Sequence, residues 1–78
     1  MKAIIYGKPS CPYCDKAKRL LTNDPRFDVQ YVDLSLPENQ QTLNDLKAGG
    51  MRTVPQIYVD NVHIGGYREL VEAMVAKY

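Results

Sequence analysis

Apolar residues in this chain come in short bursts whose spacing switches between strand and helix periods. Lys2 to Tyr6, centred on Ile4, Ile5 and Tyr6, is a β-prone run. Gly7-Lys8-Pro9-Ser10 breaks it. A helix is then predicted to start around Cys11–Pro12, because a first-turn proline lacks only an N–H that would be unpaired there. Tyr13, Ala17, Leu20 and Leu21 recur at helical spacing and give one apolar face. Asn23-Asp24-Pro25 ends that helix. Val29 to Asp33 reads as a second strand through Val29, Tyr31 and Val32. Ser35-Leu36-Pro37-Glu38 has the Ser-x-x-Glu spacing of a capping box with a proline in the first turn. The helix it opens carries Leu43 and Leu46, and Gly49-Gly50 stops it. Ile57-Tyr58-Val59 and Val62-His63-Ile64 are two short strands, with Asp60-Asn61 as a tight hairpin turn. Gly65-Gly66 ends the last strand, and a final helix places Leu70, Val71, Met74 and Val75 on one side.

The predicted order is β-α-β-α-β-β-α, an α/β chain. A strand–helix–strand opening implies a parallel crossover, and the closing hairpin is antiparallel. The expected product is a four-stranded mixed sheet with three helices packed on it. With 78 residues and no linker, repeat or low-complexity stretch, residues 1–78 are expected to form one domain.

Composition narrows the function classes. Hydrophobic residues make up 45% of the chain, enough for an ordinary core. Ten basic against nine acidic residues leave a net charge of +1. The local cluster Lys16, Lys18 and Arg19 reads as a solvated helix face, so no nucleic-acid partner is expected. The N-terminal apolar run is too short for a signal peptide, and no segment approaches a membrane span, so a cytoplasmic protein is expected.

The two cysteines, Cys11 and Cys14, carry the chemistry. A bridge across two residues closes too short a loop to act as a staple. In a reducing compartment a Cys-x-x-Cys pair is catalytic or metal-binding more often than structural. Cys11 falls just after a strand and at a helix start, where free N–H groups and the positive end of the dipole favour a thiolate. Lys8 could add to this, and so could Arg52 if the fold brings it near. Cys14 lies nearly a turn further in and should be more buried. An exposed, acidic thiol that attacks and a shielded thiol that resolves suit thiol–disulfide exchange. A zinc site would need more than the one remaining soft ligand, His63, which reads as an exposed strand residue. An inert structural pair is a further reading of the same two residues.

Three segments in order resemble the glutaredoxins, members of the thioredoxin-fold superfamily: Cys11-Pro12-Tyr13-Cys14, Thr53-Val54-Pro55-Gln56 and Gly65-Gly66-Tyr67. The resemblance implies a thioredoxin-like fold and a glutathione-disulfide oxidoreductase. Cys11 would be the nucleophile that takes glutathione from a mixed disulfide, and Cys14 the resolving thiol for protein disulfides. Lys8, Tyr13, Thr53, Val54, Pro55, Gly66, Tyr67 and Arg68 would form the glutathione groove, with Val54 offering its backbone as a short ladder rung. Pro55 would be cis, which the bare sequence would read as an ordinary trans proline. Glutathione is the implied reductant, and no resident metal is expected. The implied partners are glutathione and disulfide-containing or glutathionylated proteins, with ribonucleotide reductase among the candidates. A monomer is the default.

One departure stands out. Many glutaredoxins follow Gly-Gly-Tyr with Ser or Thr and then Asp, whereas this chain has Arg68 and Glu69. An aromatic–Arg pair here is similar to the redoxins that feed ribonucleotide reductase and draw electrons from thioredoxin reductase. Two rival readings follow: the same dithiol chemistry fed by thioredoxin reductase, and a module holding a [2Fe–2S] cluster between two protomers through Cys11 and glutathione.

Overall fold

The computed structural model describes all 78 residues. Strand β1 spans Lys2–Gly7, helix α1 Pro12–Thr22, strand β2 Asp28–Asp33, helix α2 Gln40–Ala48, strands β3 and β4 Gln56–Val59 and Val62–Gly65, and helix α3 Tyr67–Ala76. The sheet order is β2-β1-β3-β4. β1 and β2 run parallel through the α1 crossover, in a register that sets Ile5 beside Tyr31 and Gly7 beside Asp33. β1–β3 and β3–β4 are antiparallel. This is the four-stranded mixed sheet with three helices that the hydrophobic pattern predicts.

Side chains along a strand alternate between faces, and here the two faces have different fates. Ala3, Ile5, Ile57 and Val59 point to one side. There they meet Ala17 and Leu21 of α1, Leu70 of α3 and Phe27 in a single core. The opposite face presents Tyr6 and Tyr58, whose rings meet edge to face at 5.7 Å. α2 covers this face but buries none of its residues. Between it and the sheet lies an open cleft lined by Tyr6, Thr42, Asp45, Leu46, Met51 and Tyr58. The hairpin turn is built as expected, with Asp60 and Asn61 at φ values of 48° and 68°. These short polar residues tolerate the left-handed region that a tight hairpin requires.

Three local expectations fail. Ser35 does not cap a helix. Its hydroxyl and N–H both donate to Asp33 Oδ1, at 2.6 and 2.8 Å. The Pro37–Asn39 stretch is a 3₁₀ turn without a side-chain cap, and α2 begins only at Gln40. Asp33, at the end of β2, captures the serine before a helix can. On α3 only Leu70 is buried. Val71 is exposed and Val75 is 85% exposed, because the helix rests on the sheet through a narrower stripe than the apolar spacing suggests. Tyr13 leaves the apolar face of α1 and is 57% exposed.

Candidate active site

The turn after β1 delivers the two cysteines. Ser10 takes a positive φ of 62°. Cys11 then occupies the N-cap of α1 in extended conformation, with Pro12 as the first helical residue. The Cys11 carbonyl accepts from Asp15 N–H at 3.2 Å, and its Sγ accepts from Cys14 N–H at 3.2 Å. The sulfur therefore takes the role a serine or aspartate oxygen plays at other helix starts. Cys11 and Cys14 are joined as a disulfide, with Cα atoms 5.2 Å apart. Their environments differ as the sequence predicts: Cys11 is partly exposed and Cys14 is fully buried.

Across from Cys11 runs the loop before β3. The Val54–Pro55 bond is cis, and the Val54 carbonyl oxygen lies 3.9 Å from Cys11 Sγ. Gln56 supports this loop from below. It is a polar residue only 8% exposed, and its amide nitrogen donates to the Thr53 carbonyl at 2.8 Å. Its oxygen lies 2.8 Å from His63 Nε2. His63 is exposed, as expected, and its ring rests on Tyr58 at 4.9 Å.

A cleft of about 260 Å³ opens beside the disulfide. It brings together Tyr13, Thr53, Val54, Pro55, Gly66, Tyr67 and Arg68, seven of the eight residues expected to form a groove. Tyr13 and Tyr67 form its aromatic wall, with ring centroids 5.8 Å apart. Lys16 Nζ sits over the Tyr13 ring, 5.0 Å from its centroid. Lys8, the eighth, does not line this cleft. It lines the adjoining one with Lys47, Arg52, Thr53, Val54 and Gln56 among others. The two share Thr53 and Val54, so a ligand along the loop would pass between the aromatic wall and a cationic end.

Arg52 lies at this cationic end beside Lys8 and Lys47. Lys47 gave no signal, because nothing in an amphipathic helix marks which exposed lysine faces a cleft. Glu69 joins the first cleft, and its Oε1 accepts from Gly66 N–H at 2.8 Å. It thereby ties down the start of α3. Arg68 is 86% exposed and makes only a surface pair with Glu72 at 3.4 Å, so its guanidinium is free to turn toward a ligand. No group of three or more His, Cys, Asp or Glu side chains converges as a metal site would require. No helix is long and apolar enough to cross a membrane.

The arrangement can carry out sulfur exchange. A partly exposed sulfur at a helix N-terminus faces an open backbone edge, and a shielded partner sulfur lies behind it. Comparison with known proteins agrees with that chemistry. The glutaredoxin family model matches residues 3–64. Glutaredoxin 1 of Escherichia coli is 45% identical over 75 residues, covering 88% of this chain and 87% of the relative. Glutaredoxin 1 of Rickettsia prowazekii is 44% identical over 69 residues, covering 86% of this chain and 70% of the relative. Among solved structures, a buckwheat glutaredoxin–glutathione complex superimposes with a TM-score of 0.77 at 25% identity, covering 94% of this chain and 67% of that one.

Proposed function

The chain belongs to the glutaredoxin family and is a thiol–disulfide oxidoreductase, and from that premise we propose that it is glutathione-dependent, reducing both glutathione mixed disulfides and protein disulfides. The observation that carries this reading is the placement of Cys11 Sγ against the Val54 edge, at the junction of an aromatic wall and a cationic end. Glutathione is an extended peptide with a carboxylate at each end. The Val54 backbone would pair with its cysteine residue as a strand rung. Lys8 would take the carboxylate at one end, and Arg68 the other, past Tyr13 and Tyr67. Thr53, Pro55 and Gly66 would shape the floor. The buckwheat glutaredoxin of similar fold is a complex with glutathione, which supports glutathione as the ligand.

In the proposed cycle the Cys11 thiolate attacks one sulfur of a protein disulfide. The other protein sulfur departs as a thiolate, and the protein stays bonded to Cys11 as a mixed disulfide. Cys14 displaces it and closes the Cys11–Cys14 bridge. Two glutathione thiols then reopen the bridge, and oxidised glutathione leaves. For a glutathionylated substrate Cys11 suffices. The role is that of a cytoplasmic electron donor in redox homeostasis, acting as a monomeric single domain, with ribonucleotide reductase among the candidate acceptors.

Arg68 favours a second reading, the same cycle fed by thioredoxin reductase. One experiment separates them. Reduction of a mixed disulfide between a small thiol and glutathione is followed with NADPH, glutathione and glutathione reductase. Insulin reduction with NADPH and thioredoxin reductase alone is run in parallel. Turnover in the first system alone is expected. Turnover in the second alone would remove glutathione from the mechanism.

A further inference from the structure

Cys14 is the sulfur that no substrate reaches, yet each opening of the bridge leaves an electron pair on it. That sulfur lies over Gly7, at the end of β1. A Cβ on Gly7 would lie 3.0 Å from Cys14 Sγ and 2.9 Å from Cζ of Tyr31, with the Tyr31 hydroxyl closer still. The two side chains thus share the space over the Gly7 backbone, which stays open only because that position has no side chain. Tyr31 reaches it from β2, where it pairs with Ile5 of β1. Its ring packs against the core, Lys18 Nζ of α1 sits over it at 5.1 Å, and its hydroxyl donates to the Lys8 carbonyl at 3.3 Å.

We infer that Tyr31 is a positioning residue for the resolving cysteine: its hydroxyl turns from the Lys8 carbonyl to donate a hydrogen bond to Cys14 Sγ when the bridge opens. The inference rests on the proposed dithiol cycle and adds a group to it. In the balanced step a thiolate of the reductant attacks Cys11 Sγ. The Cys11–Cys14 bond breaks, a bond from the reductant sulfur to Cys11 forms, and Cys14 departs with the electron pair as a thiolate. Tyr31 keeps its proton throughout and supplies only the hydrogen bond. Cys14 later takes its proton from solvent. The long bond to Lys8 costs little to give up, whereas one to an anionic sulfur is charge-assisted. Burial, with the negative charges of Asp15 on α1 and Asp33 on β2, holds the phenol above its usual range, so the donor stays protonated.

The test uses Tyr31→Phe, which deletes one oxygen. Opening of the oxidised chain by excess dithiothreitol, and separately by glutathione, is followed by stopped flow. In a Cys14→Ser background, turnover of the mixed disulfide between a small thiol and glutathione is measured with and without the tyrosine oxygen. The expected result is about tenfold slower opening of the bridge by either reductant, with the single-thiol reaction within about twofold. That reaction uses the same groove and doubles as the check that the variant is folded. Equal rates of opening, or a parallel fall in both reactions, would overturn the inference. Failure of the proposed glutathione chemistry reads differently. The parent chain would then open with dithiothreitol but show no turnover with glutathione.

Discussion

At the scale of single residues, the two sulfurs carry separate jobs because their surroundings differ. Cys11 sits at the helix start and accepts the Cys14 N–H, a place that stabilises negative charge. Cys14 has no exposed surface. Cys11→Ser should therefore abolish both mixed-disulfide and insulin reduction, since no other thiol can begin exchange. Cys14→Ser should keep most of the first and lose the second. Retention of insulin reduction in Cys14→Ser would show that a partner thiol, not Cys14, resolves. Far from the site, Asp24 accepts from the Arg26 guanidinium at 2.6 and 3.0 Å and from the Arg26 N–H at 3.0 Å. The side-chain bonds to Arg26, more than its charge at a distance, lower the Asp24 carboxyl from 3.8 to about 2. A carboxyl depressed by folding contributes stability above its unfolded pKa and loses it as pH falls through the folded one. In acid unfolding curves, the parent chain should lose stability between about pH 4 and pH 2 more steeply than Asp24→Asn. Parallel curves would mean that the pair does not form in solution.

At the scale of elements, the strands and α1 and α3 are anchored by side chains that reach the core, while α2 is not. It buries no residue and has no side-chain N-cap, so it should be the first helix to exchange its amides. Its end offers a paired test. Gly49, in the C-cap, has φ −81°. A Cβ there would meet nothing closer than 3.5 Å. Gly50 has φ +85° and nothing within 4 Å of a Cβ. Gly49→Ala should stabilise by about 0.4–1 kcal/mol through the unfolded chain. Gly50→Ala should destabilise by about 1–2 kcal/mol from backbone conformation alone. Urea midpoints of the two variants on opposite sides of the parent would bear this out; matching signs would refute it. The same contrast explains what was legible in the sequence. Element order and the hairpin follow from periodicity and turn chemistry, which are local. The α2 start was misread because Ser35 had a competing acceptor in Asp33, a contact the Ser-x-x-Glu spacing does not encode. The Val71 and Val75 positions were misread because periodicity finds an apolar stripe but not how wide a surface awaits it. In the site, the motif segments located six cleft residues and Arg68 follows directly after the last of them, but only the resemblance suggested the cis bond. That Tyr31 and Cys14 both crowd Gly7 depends on β1–β2 register, which no spacing shows.

At the scale of the whole molecule, one face of the sheet holds the core and the other is thinly covered, so stability is concentrated in few side chains. Typical stabilities of about 0.05–0.15 kcal/mol per residue would give a chain this short roughly 4–12 kcal/mol. Leu21 is fully buried between α1 and the sheet. Leu21→Ala should cost about 2–5 kcal/mol, a large share of the total, whereas Val75→Ala, at an 85% exposed position, should stay within about 0.5 kcal/mol. Leu21 is also ten residues from Cys11, about 15 Å along the helix, so it supports α1 without touching its reactive end. Loss of activity in Leu21→Ala should therefore track the unfolded fraction. Turnover per folded molecule, from rates and circular dichroism across a urea series, should match the parent. A lower turnover per folded molecule would show that the core sets the geometry at Cys11 as well as holding the sheet, and that the one-sided packing reaches the chemistry directly.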